Sequence, residues 1–296
     1  MNLISTTPRR LGDVEIAPLG LGCWRLVAMP VADAQAAVES ALDAGMNLVD
    51  TADVYGLDWG GQAFGEAEAL FGNMLHQAPQ LRDRMVLATK GGIVPGVPYD
   101  SSRLSDACEE SLARLQTDYV DLYQIHRPDL LTHPEEVARV LEDLVSSGKI
   151  RAVGVSNFTT SQVDALQAYL PFPIVSQQPE YSALHLDPLF NGTFDQCMTH
   201  KTAVLAWSPL AGGRLAGTDG LTNELSEVLV SLAERESTDV ATIAIAFTLA
   251  HPANPVALIG STNPERIRAS MEALKVSLDR NDVYQIIQAS MGESLP

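Results

Sequence analysis

Apolar residues along the chain follow two alternating patterns. One pattern is a short, nearly continuous run rich in Val, Ile and Leu, as in "MVLATK", which is typical of strands buried on both faces of a parallel sheet. A weaker run of this kind, "APLGLGCW", occupies residues 17–24. Seven further runs end near Asp50, Lys90, His126, Asn157, Gln178, Trp207 and Gly260.

The second pattern has a helical period and lies between these runs. In residues 134–147 the apolar positions fall on one helical face, with Pro134 suited to the first turn and Gly148 to the C-terminal stop. Residues 105–116 also predict a helix, with Ser105 as its N-cap. Similar signals predict helices at 33–45, 161–169, 225–236, 239–250 and 264–274, with another at 281–289.

Eight strands that alternate with helices predict an α/β protein with a (β/α)8 TIM barrel. We find no linker-like change of composition, so residues 1–296 are expected to form a single domain. An open, doubly wound sheet is the alternative. It is less favoured because "GLG" at 20–22 is too short for a dinucleotide fingerprint and does not lead into a helix.

Composition narrows the class of protein. The chain is 46% hydrophobic and 19% charged, as expected for a globular protein, and its net charge of −18 argues against nucleic-acid binding. No apolar run approaches the roughly 20 residues that span a bilayer. Residues 1–16 lack the apolar stretch of a secretory signal, so a cytoplasmic protein with no membrane association is expected. The three cysteines show no metal-binding spacing, and no metal is predicted.

Polar residues recur where the predicted strands end, which is where barrel enzymes carry their active sites. Asp50, Lys90, His126, Asn157 and Gln178 all occupy such positions. Taken singly, an Asp is often a loop cap, a Lys a solvated charge and a His a structural residue. Their recurrence on successive strands predicts that they share one pocket.

The stretch "NLVDTADVYG" at 47–56 adds a phenol to this set. Tyr55 is a poor acid at neutral pH, but a nearby ammonium such as Lys90 lowers the pKa of a phenol. Asp50 is suited to hold that ammonium, and His126 to share the proton or to orient a substrate oxygen. Such a group protonates an oxyanion as it forms on a carbonyl. Asp53 is interpreted as a loop residue outside this group.

Several motifs together resemble the aldo-keto reductase family over nearly the whole chain. "DTADVYG" and "GEAEALFG" are similar to its D-T-A-x-x-Y-G and G-x-x-E-x-x-x-G segments. "KIRAVGVSNF" resembles its strand-five signature, and "AWSPLAGGRL" and "IGSTNPERI" resemble its cofactor-binding loops. The "IHRPD" segment and the short C-terminal tail are most like the bacterial NADPH-dependent members.

This resemblance implies a barrel that binds NADPH, with NADH as a possible substitute, and reduces aldehydes or ketones to alcohols. It implies that Tyr55 is the general acid, assisted by Lys90, Asp50 and His126. The implied cofactor contacts are Gly22, Cys23, Trp24, Asp50, Ser156, Asn157, Gln178, Trp207, Ser208, Pro209, Leu210, Gly212, Gly213, Arg214, Gly260, Ser261, Thr262 and Arg266.

The chemistry of two cofactor segments agrees with these roles. The Gly212–Gly213 pair allows backbone amides to approach a phosphate, and Arg214 and Arg266 supply positive charge that the acidic chain otherwise lacks. Ala269 and Ser270 stand where family members often carry Glu and Asn that contact adenine. Arg266 nevertheless favours the 2′-phosphate of NADPH.

Neither the family resemblance nor the polar residues at the strand ends identify the substrate. Trp24, Tyr55, Trp59, His126 and Arg127 are the predicted substrate contacts, although the tryptophans are equally consistent with core or loop packing and Arg127 with a surface ion pair. The short tail "SMGESLP" predicts an open site with broad acceptance of small carbonyl compounds. A monomer or weak homo-oligomer is expected. The competing hypotheses are a cofactor-sensing subunit with little turnover and a lyase that forms a Schiff base at Lys90.

Overall fold

A computed structural model of the protein describes residues 2–57, 60–94 and 99–295. The strands are β1 Arg9–Leu11, β2 Val14–Ile16, β3 Leu19–Gly22, β4 Leu48–Asp50, β5 Val86–Gly91, β6 Val120–Ile125, β7 Ile150–Ser156, β8 Ile174–Gln178, β9 Ala203–Ala206 and β10 Val256–Ile259. Eight of them form a closed parallel barrel in the order β10-β3-β4-β5-β6-β7-β8-β9, which confirms the predicted (β/α)8 architecture.

Helices follow the barrel strands and cover the outside of the sheet. They are α1 Val31–Asp43, α2 Glu66–Gln77, α3 Leu104–Leu115, α4 Pro134–Ser146, α5 Thr160–Gln167, α6 Asp187–Phe190, α7 Thr193–His200, α8 Asn223–Glu236, α9 Val240–Leu249, α10 Pro264–Ala269 and α11 Arg280–Met291. Shorter 3₁₀ segments cover Pro79–Arg84, Ser101–Arg103, Ala211–Ala216 and Ser270–Lys275. In the part of the chain that the structure describes, none of these helices has both the length and the apolar character to cross a membrane.

The eight predicted helices are present, but one predicted cap is wrong. Ser105 lies inside α3, because a 3₁₀ turn at Ser101–Arg103 precedes that helix and is capped by the Asp100 side chain. Pro134 does begin α4, as predicted, and the His133 side chain caps that helix. The β1–β2 hairpin and helices α2, α6 and α7 were not predicted, because each is short or lacks a clear apolar period.

The barrel interior is apolar at one end and polar at the other. Leu11 and Ile16 of the hairpin pack on Leu48, Leu122 and other residues of the inner strand faces, so the hairpin closes the N-terminal end of the barrel. A larger apolar cluster fills the space between the sheet and the helices. Towards the carboxyl ends of the strands the interior positions become polar, and this change places the candidate site.

Candidate active site

The side chains of Asp50, Lys90 and Tyr55 meet at the carboxyl end of the barrel. The Lys90 ammonium donates to Asp50 Oδ2 at 2.6 Å, to the Thr51 carbonyl at 2.9 Å and to the Tyr55 hydroxyl at 3.1 Å. Lys90 and Asp50 are almost completely buried. The structure therefore brings together three of the four predicted catalytic residues through direct hydrogen bonds.

The loop after β4 delivers Tyr55 to this point. The Thr51 amide donates to the Ala88 carbonyl, and the Asp53 amide donates to the Lys90 carbonyl. The loop therefore remains hydrogen-bonded to β5 for three residues beyond the end of β4. Gly56 then adopts φ +127°, and a Cβ atom there would lie 2.4 Å from the Ala63 carbonyl oxygen. Only glycine fits this turn without a shift of the chain, since the left-handed region and the close approach both exclude a side chain.

Burial sets the protonation of the pair that transfers the proton. The pKa of Tyr55 is raised above 10 because burial outweighs the opposing effect of the Lys90 charge. Lys90 therefore acts on Tyr55 in the predicted direction, but the net shift of the tyrosine pKa is upward. The pKa of Lys90 is itself raised, because the charge of Asp50 and the hydrogen bonds outweigh desolvation. At neutral pH the phenol carries its proton and the amine is an ammonium.

His126 lies beside the phenol. Its ring packs edge-on against Tyr55 with 5.9 Å between ring centroids. Burial and the charges of Lys90 and Arg127 hold the pKa of His126 well below 6.5, so the imidazole is neutral. Its Nδ1 is buried and has no hydrogen-bond partner among the described residues. A neutral imidazole suits the predicted role of orienting a substrate oxygen better than that of carrying a second proton.

The other oxygen of Asp50 is held by two glutamines. Gln124 Nε2 and Gln178 Nε2 each donate to Asp50 Oδ1 at 3.0 Å. Gln178 Nε2 also donates to Gln124 Oε1 at 3.3 Å, so both hydrogens of the Gln178 amide are committed inside the protein. Within the described chain no donor reaches Gln178 Oε1, which leaves this oxygen for a ligand.

A second polar group lies at the ends of β7 and β9. Asn157 Nδ2 donates to Ser156 Oγ and to the His126 carbonyl, and the Trp207 indole donates to Asn157 Oδ1 at 3.2 Å. Asn157 adopts a left-handed backbone conformation, and so does Ser208, which directly follows Trp207. Non-glycine residues rarely occupy this conformation. Strain of this kind concentrates at functional sites. Trp207 is half-buried, and Asn157 connects its indole to the backbone of His126.

The loop after β9 is open and carries positive charge. Gly212 and Gly213 have φ of +72° and +106°, and a Cβ atom at either would meet nothing within 4 Å. Arg214 is exposed beside them, and the Arg25 side chain donates to the Gly212 carbonyl at 2.9 Å. The Gly213 amide already donates to the Leu210 carbonyl at 2.9 Å, so the guanidinium groups of Arg25 and Arg214, rather than this amide, make the loop suitable for an anionic cofactor.

The loop after β10 has a similar character. Gly260 is exposed, Ser261 and Thr262 are half-buried, and the Asn263 side chain caps α10 by accepting from the amides of Glu265 and Arg266. The Arg266 side chain is exposed on this first turn. Ser270 Oγ donates to the Ile267 carbonyl at 2.6 Å and is buried, so this hydroxyl is engaged by its own helix.

The remaining predicted contacts differ in exposure. Gly22 and Trp24 are half-buried at the barrel mouth, and Arg127 is exposed there. Pro209 is buried and Leu210 half-buried after β9. Cys23 is completely buried, burial raises the pKa of its thiol, and its backbone amide donates to the Asp50 carbonyl at 2.8 Å. Trp59 lies outside the described residues.

Behind the site lies a second buried group of charged residues that the sequence did not predict. Glu68 of α2 accepts from Thr89 Oγ1 at 2.5 Å and pairs with Arg114 Nε at 2.7 Å. Asp53 is completely buried, and neither of its carboxylate oxygens has a hydrogen-bond partner in the described structure. Burial and the charge of Glu68 raise the pKa of Asp53 well above 3.8. Asp53 lies in a loop, as interpreted, and makes no side-chain hydrogen bond to the Lys90 group; its burial and raised pKa, which the sequence did not indicate, make it a buried acid.

Three functional candidates were missed for different reasons. Gln124 belongs to an apolar run, and the only signal is its polar character two residues before His126. Arg25 follows Trp24 in a loop with no motif. Arg114 lies on the polar side of a helical pattern, where a charge is usually solvated, and only the fold brings it to Glu68.

A (β/α)8 barrel with a buried lysine–aspartate pair against a tyrosine, next to an open glycine–arginine loop, defines a class of barrel oxidoreductases. The model of the Aldo/keto reductase family matches residues 18–290. The chain belongs to this family and is an oxidoreductase, of a family that reduces carbonyl groups with NAD(P)H.

Individual relatives agree with this membership. The chain is 48% identical to a 6-dehydroglucose reductase of Novosphingobium aromaticivorans, with 97% of both chains covered. It is 36% identical to a 6-dehydroglucose reductase of Agrobacterium fabrum, covering 95% of this chain and 97% of the relative. An aldo/keto reductase from Klebsiella pneumoniae, crystallised with NADP and acetate, is 28% identical with a TM-score of 0.78 and coverages of 95% and 94%.

Proposed function

We propose that this protein reduces an aldehyde with NADPH and that Tyr55 donates the proton. The observation that carries the proposal is the position of the Lys90 ammonium, which lies between Asp50 Oδ2 at 2.6 Å and the Tyr55 hydroxyl at 3.1 Å. A cation in contact with a phenol stabilises the phenolate that remains after proton transfer. The bound nicotinamide supplies the hydride.

Each member of the group has a separate task. Tyr55 holds the proton at neutral pH because its pKa is raised. Lys90 stabilises the phenolate, and Asp50 keeps Lys90 charged and in place. Neutral His126 binds the carbonyl oxygen and directs it towards the Tyr55 hydroxyl.

Four segments are proposed to hold the cofactor. Gln178 Oε1 and the Asn157–Ser156 pair are assigned to the carboxamide, and Trp207 is assigned to stacking on the nicotinamide ring, which its half-buried position and its hydrogen bond to Asn157 support. The uncrowded backbone at Gly212 and Gly213, together with the exposed Arg214, suits a pyrophosphate, and the exposed Arg266 suits a 2′-phosphate.

The substrate proposed first is an aldehyde at the end of a sugar. Two relatives, at 48% and 36% identity over nearly the whole chain, are named 6-dehydroglucose reductases. A small carbonyl group with polar neighbours suits the site, since the His126 ring packs against Tyr55 and its Nδ1 has no hydrogen-bond partner among the described residues. Trp24 and Arg127 are proposed to contact the remainder of the substrate.

The lyase alternative is not favoured. A Schiff base requires an unprotonated amine. Lys90 is buried, engaged in three hydrogen bonds and has a raised pKa, so its amine is a poor nucleophile. A cofactor-sensing subunit remains the second candidate, because the cofactor segments alone would suit it.

The Tyr55→Phe variant tests the proposed role. We expect reduction of 6-dehydroglucose, followed as NADPH consumption, to fall by about 10²-fold to 10⁴-fold, because the general acid is lost. Binding of NADPH, followed by fluorescence titration, should be retained. Full activity in Tyr55→Phe would remove Tyr55 from the acid role. If the wild type binds NADPH but turns over no aldehyde in a broad panel, the sensing function is favoured.

Cofactor preference is tested by steady-state kinetics with NADPH and NADH. We expect higher catalytic efficiency with NADPH, because Arg266 is placed for the additional phosphate. An Arg266→Ala variant should lose this preference and keep its efficiency with NADH. Comparable efficiencies of the wild type with both cofactors would contradict the assignment.

The cellular setting is also part of the proposal. We propose a cytoplasmic protein, formed by one domain over residues 1–296, that acts as a monomer or weak homo-oligomer. Light scattering coupled to gel filtration tests the oligomeric state.

A further inference from the structure

Polar residues replace apolar ones at one layer of the barrel interior. Lys90, Gln124, Gly154 and Ser176 pair directly across four neighbouring strands. Two residues earlier on β6, Leu122 points into the apolar core. A glutamine at the next interior position must therefore find hydrogen-bond partners, since burial of an unpaired amide is costly.

Gln124 finds these partners on both sides of its amide. Its Nε2 donates to Asp50 Oδ1 at 3.0 Å, and its Oε1 accepts from Ser176 Oγ and from Gln178 Nε2, each at 3.3 Å. The side chain is completely buried. Its contacts thus lead inward to the carboxylate that holds Lys90.

Gly154 leaves the space that this arrangement needs. A Cβ atom at Gly154 would lie 2.0 Å from Ser176 Oγ and 3.0 Å from Gln124 Cγ. The missing side chain on β7 thus allows Gln124 and Ser176 to meet across the strand between them. The same layer would otherwise be filled by an apolar residue from β7.

We propose that Gln124 is a positioning residue for proton transfer, which holds the Asp50 carboxylate and the Gln178 amide in the orientations that place Lys90 against Tyr55. The inference rests on the proposed function. Asp50 Oδ2 is committed to Lys90, so the angle of the carboxylate depends on what holds Oδ1. Without Gln124, Oδ1 keeps one donor, and Gln178 Nε2 loses one of its two acceptors.

The Gln124→Leu variant removes both hydrogen-bonding groups at similar volume. We expect kcat to fall about 10-fold to 100-fold, which is the range for loss of a hydrogen bond to a buried charge. The KM for the aldehyde should change by less than about threefold. Because a slower chemical step becomes rate-limiting, the isotope effect on kcat with 4-deuterated NADPH should increase.

The Gln124→Glu variant should be slower still, since it places a second carboxylate beside Asp50. The matched control, Gln177→Leu, makes the same substitution at a buried glutamine of β8 whose amide donates to the Phe158 carbonyl, and it should stay within about twofold of wild type.

A packing role would give a different result. The unfolding temperature of Gln124→Leu would then fall while kcat per folded molecule and the isotope effect stayed at wild-type values, and this outcome would overturn the inference. If Gln124→Leu does not fold, Gln124→Met, which is unbranched and of similar length, is judged by the same criteria. Retained activity in Tyr55→Phe would refute the proposed acid role instead. An inactive Tyr55→Phe with an unimpaired Gln124→Leu would refute the Gln124 inference alone.

Discussion

Asp50 and Asp53 are three residues apart, equally buried, and opposite in their surroundings. Asp50 accepts from Lys90, Gln124 and Gln178. The carboxylate oxygens of Asp53 have no well-formed hydrogen bond among the described residues, and burial, followed by the like charge of Glu68, raises its pKa. The comparison shows that burial alone does not determine what a carboxyl group does at the barrel end.

The difference follows from which way each side chain leaves the backbone. Asp50 is the last residue of β4 and points into the barrel, where Lys90 of β5, Gln124 of β6 and Gln178 of β8 donate to it. Asp53 belongs to the turn that follows β4 and lies on the side of Glu68 in α2. The nearby donors there, Arg114 and Thr89, are hydrogen-bonded to Glu68. A buried carboxylate needs donors, and a buried carboxyl group without donors keeps its proton.

The largest effect is expected from Asp50→Asn. The substitution leaves the buried ammonium of Lys90 without its counter-charge, which typically costs roughly 3–5 kcal/mol of folding free energy. Carbonyl reduction should fall at least about 10²-fold, since Lys90 is no longer held against Tyr55. Urea unfolding and NADPH-consumption kinetics measure the two effects.

NADPH titration provides the control for this variant. If Asp50→Asn binds the cofactor and is folded, the loss of activity reflects the proton-transfer group. Near-wild-type stability and activity would mean that Lys90 does not depend on Asp50, and the contrast between the two carboxyl groups would fail.

A smaller effect on activity is expected from Asp53→Asn. Because the raised pKa means that the folded protein binds this proton more tightly than the unfolded chain, the stability contribution of Asp53 is present below pH 4 and is lost as the pH rises towards the raised pKa. The free energy of unfolding of the wild type, relative to Asp53→Asn, should therefore decrease by about 1.4 kcal/mol per pH unit across this window. Activity should stay within about twofold, since a neutral side chain replaces a neutral side chain.

Unfolding curves of both proteins from pH 4 to pH 9 test this prediction. Parallel dependence of the two free energies on pH would show that Asp53 titrates alike in the folded and unfolded states. A strong loss of activity in Asp53→Asn at neutral pH would show that the carboxylate form is needed.

The fold was predictable because each barrel strand is buried on both faces. The run "MVLATK", for example, becomes β5 with every residue buried, as its composition predicts. The β1–β2 hairpin was not predictable in the same way. Its strands have three residues each, and their place under the barrel depends on the apolar floor formed by distant strands.

The site was predictable where chemistry coincides with a strand end. Lys90, Asp50 and Tyr55 were expected to meet, and hydrogen bonds of 2.6 Å and 3.1 Å join them. The direction in which the Tyr55 pKa shifts could not be predicted, because the sequence shows a nearby lysine but not the extent of burial. Gln124 was missed because its function arises from Gly154 on the adjacent strand, which has no side chain to fill the space.

By itself the sequence determined the alternation of strands and helices, and with it which polar residues reach the carboxyl end of the barrel. Local periodicity carries this information, because a strand buried on both faces and a one-sided helix have different patterns. Only the tertiary structure decided the charge state and partners of those residues. Hydrogen bonds such as that of Gln178 to Asp50 join residues 128 positions apart, and desolvation depends on everything packed around a group. For this reason two aspartates in one heptapeptide become a satisfied carboxylate and a buried acid.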